Sequence, residues 1–277
     1  MYKQTQNLKT LGPRTALLFA KLHDQGKLVF DLGTAARLMQ VDHTHASGIL
    51  HAAVKRGLVT PIRRGLYNLV PFEMGSVNFH LENRYAVIGE SMGDKPYYLS
   101  HASALDLHRL ATQPSFDAYV STTHRLATLN MGGTLVHFVT TKSSRFFGYA
   151  PHDLGKGQKV MVSDLERTLV DGLALPEYCG GIVEVAKATF MAKSRFEADK
   201  LIDYARRTNR GAVLRRLGFL LETLEIASPA LLDSLKAGLP AGAVKLDPSL
   251  PLEGSHHAKW GLRLNVTADE ILKAVSH

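Results

Sequence analysis

The stretch DLGTAARLMQVDHTHASGILHAAVKRG, residues 31–57, decides the fold of the N-terminal part of the chain. Ala35, Ala36, Leu38 and Met39 give a short apolar stripe that predicts a helix opened by Asp31 or by Gly33 and Thr34, with Thr34 as its N-cap. After the turn Gln40-Val41-Asp42, Asp42 is placed to cap a second helix over about 43–56. In it Ala46, Ile49, Leu50, Ala53 and Val54 recur at i, i+3, i+4 and i+7. The face opposite carries His43, Thr44, Ser47, Gly48, His51 and Lys55, which are small, hydrogen-bonding or cationic. Gly57 follows as a helix stop.

Working outward, Gly12-Pro13 precedes a helix over 14–23, and Gly26 ends it before a short strand, 28–30. On the other side, the β-rich runs 58–62 and 66–70 are joined by Arg63-Arg64-Gly65, a hairpin with a basic tip. Helix, helix, turn, helix and basic hairpin is the order of a winged helix-turn-helix. A major groove about 12 Å wide admits one helix, and a hairpin with arginines at its tip suits a neighbouring minor groove or phosphate strand. The DNA-contacting set expected from this pattern is Thr34, Arg37, His43, Thr44, His45, Ser47, His51, Lys55, Arg63 and Arg64. Arg63 and Arg64 would position the wing, and Thr44, His45 and Ser47 would reach bases or backbone in the groove. No metal is expected at the three histidines: His43 and His45 face apart, and His43 and His51 are two turns distant. Protonation of groove-facing histidines would strengthen DNA binding at lower pH.

Charge distribution agrees with this reading. The chain has 277 residues and net charge +8. Residues 1–70 hold ten Lys/Arg against three Asp, leaving +7, so the other 207 residues are almost neutral. A localised basic excess is the electrostatic footprint of a module that neutralises phosphates. Hydrophobic residues at 45% and charged residues at 21% exclude wholesale disorder, and one cysteine, Cys179, excludes a disulfide framework or a cysteine-based zinc finger. No signal segment and no apolar run near 18 residues is present, so a cytoplasmic protein that does not enter membranes is expected.

Beyond Pro71 the pattern becomes mixed α/β and then mostly helical, which places a domain of residues 1–75 before one of residues 76–277. Helices are expected over 78–92 and 101–110, strands over 97–99, 118–122, 134–141 and 159–162, with turns at Gly132-Gly133 and Gly155-Lys156-Gly157. Helices follow over about 163–174, 180–191, 196–208, 210–224 and 228–237, then a strand over 261–266 and a helix over 267–275. The fold class expected is α/β in the α+β sense.

An ordered set of segments carries a family resemblance. It comprises RRGLY (63–67) after the helix-turn-helix, YLSHASAL (98–105) with Leu107-His108, and FFG (146–148). Then come VSDLERTLVD (162–171) with Pro176 and Gly180-Gly181, RRLGFLLE (215–222), and a close through LDP (246–248) and Lys259-Trp260 to Asn265. Together, over about residues 12–266, the chain resembles the AbiEi antitoxin family, the transcriptional-regulator component of type IV abortive-infection toxin–antitoxin systems. The resemblance implies a winged helix that binds inverted repeats in its own promoter and represses its operon. It also implies a C-terminal domain that neutralises a nucleotidyltransferase-like toxin without a stable complex. The family's recognition helix is richer in Arg and Ser, whereas His43, His45 and His51 stand here, so the operator sequence does not carry over.

Other segments invite competing chemistry. Asp164, Glu166 and Asp171, with Lys142 or with Glu184 and Lys187, have the residue types of a metal-dependent enzyme acting on nucleic acid. A helix starting near Ser163 explains them locally instead: a Ser163–Glu166 capping box, acidic residues in the first turn, and Asp164–Arg167 and Arg167–Asp171 pairs. No catalytic residue and no cofactor are therefore expected, and the chain is read as not an enzyme. A stand-alone transcriptional regulator of a phage-defence or mobile-element locus is the other reading left by the residues. Gly155-Lys156-Gly157 lacks phosphate-loop spacing, His256-His257 reads as a loop pair, and Phe146-Phe147 as packing. Arg206, Arg207, Arg210, Arg215 and Arg216 form a second basic cluster, the expected working surface of the antitoxin domain.

Overall fold

The computed structural model describes residues 11–70, 84–113, 115–131, 133–155 and 158–276. Two compact units emerge, Met1–Pro96 with Ala127–Val136 and His152–Val160, and Tyr97–Leu126 with His137–Pro151 and Met161–His277. The expected boundary near 71–76 and the helix expected from 78 to 83 lie outside the described residues. Helix 84–92 belongs to the first unit.

In the first unit, α1 (Pro13–Asp24) starts on a proline whose missing N–H costs nothing at a helix start. Strand β1 (Val29–Asp31) leads into α2 (Leu32–Met39), and α3 spans His43–Lys55. The α2 cap is Asp31, whose Oδ1 accepts the Thr34 N–H at 2.6 Å, so Thr34 is the capped residue rather than the cap expected from sequence. Asp31 wins because it precedes the first helical turn with extended backbone, and its carboxylate reaches the free N–H three residues on. Asp42 caps α3 through the His45 N–H at 2.8 Å, as expected. The turn between these helices passes through Gln40 in the left-handed region, φ +57°.

Strands β2 (Val59–Arg63) and β3 (Leu66–Leu69) form the hairpin, and β1 adds to it antiparallel in the order β1-β3-β2. Gly65 at φ +76° makes the tip possible, and its carbonyl accepts the Leu32 N–H at 3.0 Å, tying the wing to the start of α2. Leu18, Leu22, Phe30, Ala35, Met39, Ala46, Leu50, Ala53 and Leu58 form one core beneath the three helices and the sheet. Helix α4 (Arg84–Met92) supplies Glu90, which accepts the Leu28 and Val29 N–H groups at 3.1 and 2.8 Å.

The second unit begins with β4 (Tyr97–Leu99) and α5 (His101–Leu107), followed by β5 (Ala118–Thr122). β6 (Leu129–Met131) and the start of β7 (Thr134–Thr140) make an antiparallel hairpin within the first unit. β8 (Tyr149–Gly155) and β9 (Gln158–Ser163) complete the strands of this region. The second unit holds β4, β5 and residues 137–140 of β7, 149–151 of β8 and 161–163 of β9, with β4 antiparallel to β5 and parallel to β9. β8 escapes a sequence reading because Tyr-Ala-Pro-His-Asp-Leu-Gly contains neither an apolar alternation nor a β-branched residue.

Helices α6 (Leu165–Ala174), α7 (Ile182–Met191), α8 (Ala198–Arg207), α9 (Gly211–Thr223) and α10 (Pro229–Ala237) follow. α6 packs on α5, α7, α8 and α9, and its Leu169, Val170 and Leu173 join Leu217, Leu220, Leu221 and the fully buried Trp260 in the main core. Its N-cap is Asp164, whose Oδ1 accepts the Arg167 N–H at 2.9 Å, so the Ser163–Glu166 capping box does not form. Glu166 turns instead to the Glu197 N–H, 2.9 Å, and to Lys200. Strands β10 (Val244–Lys245), β11 (Ser255–His257) and β12 (Leu262–Leu264) form a small sheet, β10-β12-β11, before α11 (Ala268–Val275). His256 and His257 therefore sit on a strand, not in the loop expected. The architecture is mixed α/β, as the sequence predicts.

Candidate nucleic-acid interface

Helix α3 buries Ala46, Leu50 and Ala53 and leaves Ile49 and Val54 half-buried, so the face turned from the core is fixed by packing. That face exposes His43, Thr44, His45, Gly48, His51 and Lys55, with Ser47 half-buried at its edge. A Cβ added at Gly48 would meet nothing within 4 Å, so packing inside the protein does not require glycine there. Such a position lets another surface approach the backbone closely.

The structure brings one further cation to this face. Arg14, at the start of α1, places Nη1 3.0 Å from Nε2 of His45, 31 residues away in sequence. A neutral imidazole accepts this bond; an imidazolium would repel it. Sequence reasoning used Arg14 only in the charge total, because nothing local links α1 to α3.

On α2, Arg37 is exposed and Thr34 half-buried, with Arg37 Nη2 3.5 Å from Thr34 Oγ1. Arg63 and Arg64 are exposed at the hairpin tip, and among the described residues neither has a carboxylate partner. Cap bonds hold both carboxyls of this motif below the usual carboxylate range: the Thr34 N–H acts on Asp31, the His45 N–H on Asp42. Both stay ionised, so they satisfy helix N-termini and also sit as anions against a basic surface. All ten residues expected at the interface lie in one unit on α2, α3 and the wing.

The second basic cluster is divided by the structure. Arg215 and Arg216 are each 4% exposed, so they are not part of a surface, contrary to the sequence expectation. Arg215 donates to the carbonyls of Trp260 at 2.9 Å and of Pro240, and Arg216 to those of Leu173 at 2.7 Å and Lys245 at 3.1 Å. Arg215 ties two loop carbonyls to α9, and Arg216 ties the last turn of α6 and the end of β10 to it. Arg206, Arg207 and Arg210 remain exposed, with Arg206 donating to Ser234 Oγ at 2.9 Å and Arg207 lying 3.8 Å from the Phe147 ring centroid. Phe147 is held between Arg207 and Arg167, and Phe146 packs on Tyr98 and Tyr149.

Asp164, Glu166, Asp171 and Glu184 each pair with a cation of the protein. Lys200 Nζ lies 3.2 Å from Asp164 and 2.8 Å from Glu166, and Arg167 pairs with Asp171 at 2.8 Å. The hydrogen bond to Glu166 pushes Lys200 well above its ordinary value, and the burial of Cys179 pushes its thiol up, away from nucleophilic character. Among the described residues no helix is long and apolar enough to cross a membrane.

No family model matches the chain, and no curated protein matches it. Among solved structures it is similar to the crystal structure of the RV2827C protein from Mycobacterium tuberculosis. The TM-score is 0.70 at 12% identity, over 100% of this chain and 99% of that one. At that identity the likeness concerns the fold.

Proposed function

We propose that the chain is a DNA-binding antitoxin that represses its own operon through the winged helix and neutralises a nucleotidyltransferase-like toxin through its second unit. The observation that carries the DNA-binding part is the outward face of α3 beside an arginine-tipped wing, in the quarter of the chain that holds nearly all the excess positive charge. Small hydrogen-bonding residues at Thr44 and Ser47 suit base edges, while Arg63, Arg64 and Lys55 suit phosphates. The antitoxin part rests on the family resemblance of the ordered segments between 63 and 265.

Two experiments test the two parts. Fluorescence anisotropy of the full chain with its own upstream duplex should give tight, salt-sensitive binding, and an unrelated duplex should bind more weakly. Co-expression with the product of the adjacent gene, if that is nucleotidyltransferase-like, should relieve growth arrest. Growth arrest unrelieved by abundant folded protein would remove the antitoxin assignment and leave the DNA-binding one standing.

A further inference from the structure

A hollow of about 190 Å³ opens in the second unit between the end of β7, the loop after it, α6 and the turn before α9. Its floor is made of side chains that are almost wholly buried and incompletely bonded. Arg167, 3% exposed, gives one nitrogen to Asp171 Oδ1 at 2.8 Å, but its Nε and Nη1 have no hydrogen-bond partner. Asp171 Oδ2 and His101 Nε2 are likewise without partners. The buried Tyr98 hydroxyl sits beside Arg167 and interacts with its guanidinium, but short of full hydrogen-bond geometry. Buried groups of this kind are costly to leave unbonded, and they gather here around one hollow.

The proton on His101 can be placed. Burial pushes its imidazole down to about 4, so the ring is neutral at neutral pH. Ser121 donates to Ser100 Oγ at 2.9 Å, and Ser100 Oγ lies 2.9 Å from His101 Nδ1. In the tautomer that lets both hydroxyls donate, Ser100 gives its proton to Nδ1 and the ring proton sits on Nε2. His101 also holds φ +49°, a backbone conformation that a non-glycine residue adopts at a cost and that concentrates at functional sites.

The charge of the floor cancels within the Arg167–Asp171 pair, so the sign of the hollow is set by its rim. Lys142, Arg145 and Arg210 line it. Partial burial lowers the Arg210 value most, and the neighbouring Arg145 guanidinium adds to it as a like charge. By contrast, in the larger hollow of about 460 Å³ beside Tyr178, Glu184, one of two carboxylates that line it, is bonded to Thr112 and Lys187.

We propose that this hollow binds the phosphate group of a small phosphate monoester that carries a hydroxyl beside it, of the sugar-phosphate or mononucleotide class. Arg167 Nε and Nη1 and His101 Nε2 donate to the phosphate oxygens, Arg145 and Arg210 neutralise it, and Asp171 Oδ2 accepts the ligand hydroxyl. The volume is below the roughly 300–1,000 Å³ that encloses a drug-sized ligand, so the rest of the ligand stays outside. The proposal stands apart from DNA binding and from antitoxicity.

Titration calorimetry of the full chain with ribose 5-phosphate, inorganic phosphate and ribose tests it. Ribose 5-phosphate should bind saturably, inorganic phosphate more weakly and ribose not at all. The Arg145→Gln/Arg210→Gln protein, altered only at the rim, should keep its thermal stability and bind ribose 5-phosphate about tenfold or more weakly. Lys193→Gln, outside the hollow, should change nothing. Absence of saturable binding up to about 10 mM, or equal binding by the double variant, overturns the site. Inorganic phosphate binding as tightly as the ester overturns the role given to Asp171 and with it the ligand class.

Discussion

At Gly48 the glycine is idle inside the protein, since a Cβ there meets nothing. Gly48→Ala is therefore expected to raise thermal stability, by about 0.5–1 kcal/mol from helix propensity, while weakening DNA binding. Thermal denaturation and anisotropy on the same sample check the two halves, and a variant gaining both would contradict a close approach at this position. His101 makes a prediction of a different sort. Its folded value, about 4, lies below the ordinary 6.5, so the unfolded chain binds the extra proton between these values. Its stabilising effect is complete above pH 6.5 and lost as the pH falls toward 4. The charged groups facing it are Asp171, Arg167 and Arg210. His101→Gln should flatten the stability profile between these two values, as measured by urea denaturation.

Single residues also show where a sequence stops being readable. Arg167 and Asp171 are recognisable as an i, i+4 pair, and the pair forms. That it is buried, and hence that its remaining donors face a hollow, depends on residues 101, 139–145 and 208–210, none of which is near in sequence. Arg215 and Arg216 misled for the opposite reason: basic residues are usually solvated. The signal against this was present in α9, where Val213, Leu214, Leu217, Phe219, Leu220 and Leu221 surround the two arginines on every face. A helix apolar all round is buried, and so are the charges on it.

Elements with local logic were legible. The three helices and the hairpin of the winged helix are specified by caps, a left-handed turn and two short apolar stripes, all within about 60 residues. β8 was not, because its pairing with β9 is imposed from outside its own composition. The α9–Trp260 contact is a tertiary constraint of the same kind. A Cβ at Gly218 would fall inside the indole of Trp260, whose Nε1 donates to Glu222 at 2.6 Å. Gly218→Ala should cost about 1–3 kcal/mol or more by overpacking, and it should shift the emission of the only tryptophan in the chain. Unchanged emission and stability would mean that the α9–Trp260 packing is wrong.

For the whole molecule, the division of labour is the prediction. The first unit takes in segments 127–136 and 152–160, so truncation near residue 76 does not separate the units cleanly, and point variants in the full chain are the proper tools. Arg63→Ala/Arg64→Ala should abolish promoter repression in a reporter assay while leaving relief of toxin arrest intact. Loss of both activities, with the protein folded and abundant, would mean that neutralisation needs DNA binding.

DNA binding by the wing and α3 is the central claim, and the dependence of affinity on salt tests it most directly. Each phosphate neutralised contributes about −0.9 to the slope of log affinity against log salt. The full chain on its own upstream duplex should show a steep negative slope, and Arg63→Ala/Arg64→Ala should make it shallower by about 2 while weakening all duplexes alike. A slope and affinity that are the same in both proteins, or no binding at about 50 mM salt, would contradict the account.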